Sequence, residues 1–90
     1  MKVLLVGDGA REHIIAEQLA RSAELFCVME ARNPGIESLA HEIYQSDYSA
    51  IESIGAYAVK KEIDIALVTA ETALAKGLVD FLVEMSLGIK

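Results

Sequence analysis

Residues able to do chemistry gather in three short segments of this 90-residue chain. The first is Gly7-Asp8-Gly9-Ala10-Arg11-Glu12-His13, straight after the apolar run Val3-Leu4-Leu5-Val6. Gly7 and Gly9 let a ligand come close to the backbone, and the amides at the start of the following helix then face it. An anion gains from those amides and from the helix dipole. Arg11 is able to clamp a phosphate by paired hydrogen bonds, although a lone Arg is more often a solvated side chain. Asp8 repels an anion unless it points away. Glu12 suits the dipole of a helix start on structural grounds alone. His13 either donates to a ligand or packs under the loop. On this loop alone, a tight turn that binds nothing explains the residues as well as an anion site does.

The second segment is Arg32-Asn33-Pro34-Gly35, a turn by composition that follows the next apolar run, Leu25 to Met29. The third is Thr69-Ala70-Glu71-Thr72, after Ile63 to Val68. Glu71 is either a helix-start carboxylate or an acceptor for a sugar hydroxyl. The dinucleotide fingerprint G-x-G-x-x-G fits only in part. Its sixth position is Glu12, while Glu30 stands at the end of the second strand, where a ribose-binding acid belongs. A dinucleotide-binding module of an oxidoreductase or regulatory protein is thus the alternative reading. His41 has no partner at a telling distance along the chain. No Ser-His-Asp arrangement and no metal-ligand spacing is visible, so no catalytic residue and no metal ligand is assigned.

These segments need a frame to bring them together. The continuous apolar run Val3–Val6 predicts a fully buried strand, and the apolar stretches Leu25–Met29 and Ile63–Val68 predict two more strands, with a weakly marked one at Ile43–Gln45. Helical spacing predicts helices over Arg11–Ser22, with Ile15, Ala16, Leu19 and Ala20 on the inner face, and over a short stretch from Ile36 to His41. A further helix carries Ala50, Ile54, Tyr57 and Ala58, with N-cap candidates among Asp47, Tyr48 and Ser49 and with Lys60-Lys61 near its end. One long final helix places Leu74, Leu78, Phe81, Leu82 and Met85 on one face and stops at Gly88; Ile89-Lys90 resembles the first step of another strand. Alternating strands and helices predict an α/β fold, an open parallel sheet with helices on both faces. In such a sheet ligands bind beyond the carboxyl ends of the strands, where all three segments lie.

Composition narrows the function. Ninety residues, 53% of them hydrophobic, suit one domain, residues 1–90, and its abrupt end suggests a fragment of something longer. The net charge of −6 and the absence of Trp argue against a nucleic-acid partner. The single cysteine, Cys27, excludes an internal disulfide and reads as a small buried hydrophobe. No apolar run is long enough for a signal peptide or a membrane span, so no membrane is expected and the cytoplasm is the expected compartment.

Taken together, the motifs resemble the N-terminal domain of phosphoribosylamine–glycine ligases. That family typically opens with a strand, then G-x-G-G-R-E-H-A, follows its second strand with N-P-G, and its fourth with G-P-E-x-P-L and a helix containing G-[IVL]-V-D. Here Gly7, Gly9, Arg11, Glu12 and His13 are followed by Asn33-Pro34-Gly35 and then by Glu71, Leu74, Gly77, Leu78, Val79 and Asp80, in order and at the family's spacing. The chain departs at Ala10, at Thr69-Ala70 in place of Gly-Pro, at Ala73 in place of Pro, and at Glu30 and Arg32. The resemblance implies a Rossmann-like, pre-ATP-grasp domain of an enzyme of de novo purine biosynthesis. That enzyme joins glycine to 5-phosphoribosylamine through glycyl phosphate, using ATP and magnesium or manganese bound mainly by the remaining ATP-grasp domains. It implies a substrate site in which Gly7, Gly9, Ala10, Arg11 and Glu12 lie near the phosphate, Glu71 near the ribose, and Asn33 and Gly35 along the neighbouring wall. The fragment alone is expected to be inactive.

Overall fold

The computed structural model describes residues 1–84. Strand β1 (Lys2–Val6) leads into helix α1 (Ala10–Ala20), then β2 (Glu24–Met29), α2 (Pro34–Leu39), β3 (Glu42–Gln45), α3 (Ile51–Lys60), β4 (Ile65–Val68), α4 (Glu71–Ala75) and α5 (Leu78–Glu84). The sheet has the order β3-β2-β1-β4 and every pair is parallel. The central strand, β1, puts Leu5 opposite Cys27 on one side and Leu67 on the other. This is the expected α/β sheet.

Alternation along β1 divides the core in two. Leu4 and Val6, with Phe26 and Val28, face a cluster completed by Ile54 and Ala58 of α3, Ala73 of α4, and Leu78 and Leu82 of α5. Leu5, with Leu25, Cys27 and Met29, faces the opposite cluster with Ala16 of α1 and Ile36 of α2. Helices therefore cover both faces. Burial pushes the Cys27 thiol up to about 12, so it stays protonated at neutral pH. Between α3 and the start of β3, the Glu42 carboxylate accepts from the Tyr57 hydroxyl at 2.6 Å and from Lys61 Nζ at 3.1 Å.

Four details differ from the sequence reading. The final helix is broken in two at Gly77, whose φ of +81° lies in the left-handed region that closes helices. Leu74, expected on the buried face, is consequently 47% exposed, whereas Leu78 and Leu82 are buried as expected. Helix α2 starts at Pro34 rather than Ile36, because Asn33 caps it and Pro is favoured at the first helical position. The expected side-chain cap of α3 is absent. Asp47 instead accepts the Ser49 backbone N–H at 2.8 Å, and the helix starts after Ala50. Met85, Gly88 and Ile89-Lys90, expected to end the last helix and begin a further strand, lie outside the described residues.

Two outcomes follow from this packing. Leu4→Ala, which empties a fully buried position, is expected to lower unfolding free energy by about 2–5 kcal/mol, whereas Ile14→Ala on the exposed side of α1 should change it by less than about 0.5 kcal/mol; urea denaturation separates the two. The Tyr57 hydroxyl and then Lys61 hold the Glu42 carboxyl below its usual range. A depressed carboxyl stabilises the fold above its unfolded pKa and ceases to do so as pH falls through its folded one. The stability gap between wild type and Glu42→Gln should therefore be present at pH 7 and close as the pH falls through the lowered folded pKa of Glu42.

Candidate functional site

The carboxyl ends of the strands open onto the β1–α1 turn, residues 7–9. Gly7 donates its N–H to Val28 O at 3.0 Å, which fixes the turn against β2. A Cβ on Gly7 would stand 2.5 Å from Thr69 Oγ1 and 2.6 Å from Glu12 Cγ, so the turn closes only because glycine is there. Gly9 is the N-cap of α1 in extended conformation, and its N–H donates to Glu12 Oε1 at 3.2 Å. Glu12 is only 8% exposed, and its other oxygen accepts from Arg11 Nε at 3.0 Å. Its carboxylate thus lies beneath the loop as a brace, as half of a capping box.

The first helical hydrogen bond of α1 runs from His13 N to Gly9 O. The amides of Ala10, Arg11 and Glu12 precede it and lack a helical acceptor. Arg11 stands beside them with its side chain 72% exposed, and Nη2 reaches the Thr69 carbonyl at 3.5 Å. The β4–α4 turn is itself tied to β1. Thr69 N, Thr69 Oγ1 and Ala70 N each donate to Val6 O at 3.1 Å. Glu71 is the exposed first residue of α4 and touches none of the loop residues by a hydrogen bond among the described residues.

On the other flank, Asn33 Nδ2 donates to Asp8 O at 2.9 Å, while Asn33 Oδ1 accepts from Gly35 N at 3.0 Å and Ile36 N at 3.3 Å. Asn33 therefore caps α2 and clamps the first loop to the second. Gly35 is pressed against His13, since a Cβ there would lie 2.5 Å from the imidazole Cε1. The His13 imidazole is 38% exposed and lies 3.4 Å from Glu17 Oε1, one turn along α1. Asp8 turns away from the amide end, with Oδ2 accepting from Ala31 N at 3.0 Å.

The structure thus joins Gly7, Gly9, Ala10, Arg11, Glu12, Asn33 and Gly35 into one hydrogen-bonded edge and leaves Glu71 at its rim. A fourth loop, unmarked in the sequence reading, meets this edge. Glu30, the support for a dinucleotide site, accepts from Tyr48 N at 3.2 Å. The Tyr48 ring is buried between α3 and the loops. The signal was Tyr48 itself, an aromatic just past a strand too weakly marked for its end to be counted. No group of three or more His, Cys, Asp or Glu residues suited to a metal ion occurs among the described residues, and no helix there is long and apolar enough to cross a membrane. A hollow of about 290 Å³ lies elsewhere, between Tyr44, Ser53, Ala56, Tyr57 and Lys60 of β3 and α3.

An all-parallel sheet with helices on both faces defines a Rossmann-like α/β domain. A family profile described as "Phosphoribosylglycinamide synthetase, N domain" matches residues 1–90. The chain is 50% identical over 80 residues to phosphoribosylamine–glycine ligase of Methanobrevibacter smithii, covering 89% of this chain and 18% of that protein. It is 42% identical over 89 residues to the enzyme of the same name from Methanococcus vannielii, covering 97% and 20%. With that of Thermococcus kodakarensis it shares 43% over 84 residues, covering 93% and 20%. The chain belongs to the phosphoribosylglycinamide synthetase N-domain family, and it spans about a fifth of the length of these curated relatives. Family membership does not favour the dinucleotide alternative.

The tight approach at Gly7 has a measurable consequence. Gly7→Ala is expected to destabilise the chain by about 1–3 kcal/mol by overpacking against Thr69 and Glu12. Adding Glu12→Ala, which removes one of the two obstructing side chains, should make the double variant less destabilised than the sum of the single ones in urea denaturation.

Proposed function

We propose that this chain is the N-terminal substrate-binding domain of a cytoplasmic ATP-grasp ligase that joins glycine to 5-phosphoribosylamine in de novo purine biosynthesis. The observation that carries the reading is the bare start of α1. Three amides without helical acceptors stand beside the exposed Arg11 guanidinium, on a turn held shut by Gly7. That arrangement suits the 5-phosphate: the amides and the dipole face the anion, and Arg11 supplies paired donors. Glu12 holds Arg11 and Gly9 in place from beneath. Glu71 at the rim would accept a ribose hydroxyl, and Asn33 and Gly35 form the adjoining wall. The domain binds and orients the amine, and the rest of the parent protein supplies ATP with magnesium or manganese to activate glycine as glycyl phosphate. Attack of the amine on the acyl carbon then forms the amide and releases phosphate.

The test uses the full-length protein that contains this domain. ADP release should require both glycine and freshly generated phosphoribosylamine. Arg11→Ala should raise KM for phosphoribosylamine about tenfold or more and leave KM for ATP unchanged, the pattern for a lost phosphate contact. ADP release indifferent to phosphoribosylamine, or no release from folded protein that still binds ATP, would overturn the proposal.

A further inference from the structure

The ligand edge has a polarity that the phosphate alone does not use. Because β1 is flanked by β4 on one side and β2 on the other, its loop has two ends. Toward β4 lies Arg11, whose Nη2 reaches Thr69 O. Toward β2 lies Asp8, whose Oδ2 is anchored by Ala31 N–H and whose backbone carbonyl is anchored by Asn33. The anchoring uses one carboxylate oxygen. The other takes no hydrogen bond from the described residues, and the side chain is half-buried at the edge.

A second feature lies near the same carboxylate. Tyr48 is 7% exposed, and its hydroxyl is fully buried without a hydrogen-bond partner among the described residues. Burial, and next the Asp8 carboxylate beside it, push the Tyr48 phenol above its ordinary value. Native proteins rarely leave a buried hydroxyl unpartnered, and such exceptions mark functional places. Tyr48 is itself fixed, with its backbone N–H held by Glu30 and its ring in the core.

We propose that Asp8 is a specificity-determining residue whose free carboxylate oxygen accepts a hydroxyl of a sugar phosphate, with Tyr48 as a positioning residue acting through Asp8. The inference rests on the sugar-phosphate reading of the site and adds to it a hydroxyl acceptor on the opposite side of the loop from Glu71. A ligand with an anion at one end and hydroxyls at the other matches the edge's polarity; a simple anion matches only half of it.

The bystander role for Asp8 gives the opposite sign. A carboxylate that merely repels the anion would, on removal, tighten every phosphate ligand. The probes are ribose 5-phosphate and inorganic phosphate, titrated calorimetrically into the full-length protein. Asp8→Ala is expected to weaken ribose 5-phosphate about tenfold, the size of one hydrogen bond to a charged group, and to leave inorganic phosphate unchanged. Tyr48→Phe should weaken ribose 5-phosphate about threefold in the wild-type background and have no further effect beside Asp8→Ala, as coupled residues do. Ribose 5-phosphate binding that is unchanged or tighter in Asp8→Ala overturns the inference and leaves the proposed function standing. Should Asp8→Ala lose both probes through collapse of the loop, Tyr48→Phe decides alone, because it keeps the Ala31 anchor: unchanged ribose 5-phosphate binding then overturns the inference. Wild-type protein that binds neither probe overturns the sugar-phosphate reading, and this inference with it.

Discussion

The volume above Gly7 is claimed from two sides, by the Thr69 hydroxyl and by the Glu12 side chain, and the rest of the ligand edge depends on its staying free of a Cβ. With that space open, Glu12 folds back under the turn and accepts from Gly9 N–H and Arg11 Nε. A carboxylate this buried needs partners, since an uncompensated buried charge is strongly unfavourable. The same two bonds that satisfy Glu12 set the turn's shape and fix the root of Arg11. The brace and the binding surface are two sides of one small structure. Arg11 neutralises the buried Glu12 carboxylate, and the same guanidinium stands with the three amides of the helix start on the outer side.

The electrostatics of that edge are then local rather than global. The chain carries a net charge of −6, which would discourage an anion approaching at long range. Within the site, however, Glu12 is covered and paired, and Asp8 is turned toward Ala31. What faces outward at the start of α1 is a helix N-terminus and one Arg. Dipole and amide effects fall off within the first turn, so the proposed phosphate would be favoured at that spot without the whole domain being basic.

Much of the frame was legible because its signals were local. The continuous apolar runs of β1 and β2 could belong only to strands buried on both faces, and both are buried throughout apart from their first residues. Asn33-Pro34 was read as a turn although it is also a helix-start signature; the two share residue types, and what decides is whether the chain behind continues as helix. The break at Gly77 was hidden by apolar residues that keep helical spacing across it, since periodicity does not register a left-handed residue. Glu12 and Tyr48 were the least legible. The burial of Glu12 and the orphaned hydroxyl of Tyr48 arise from segments far apart in sequence meeting at one edge, and no local pattern encodes that meeting. Their chemistry becomes visible only when β3, a half-buried edge strand with little apolar content, is seen to deliver a fourth loop.

The departure at Thr69-Ala70 is the place where this chain solves a shared problem differently from the family pattern it resembles. A Gly-Pro pair stiffens a turn through the proline ring, and proline has no N–H to donate. Here three donors, Thr69 N, Thr69 Oγ1 and Ala70 N, converge on the single carbonyl of Val6. Two of the three, the Thr69 hydroxyl and the Ala70 amide, could not exist in a Gly-Pro turn. Hydrogen bonding therefore does the stiffening that ring geometry would do, and it does so from the last residue of β1, the one that enters the Gly7 turn. The substitution also tightens the coupling between the loops, because the hydroxyl that bonds Val6 O is the atom a Cβ on Gly7 would strike. The turn that carries Glu71 is thus tied to the β1–α1 turn through the strand end they share, and a change at either loop is felt at the other.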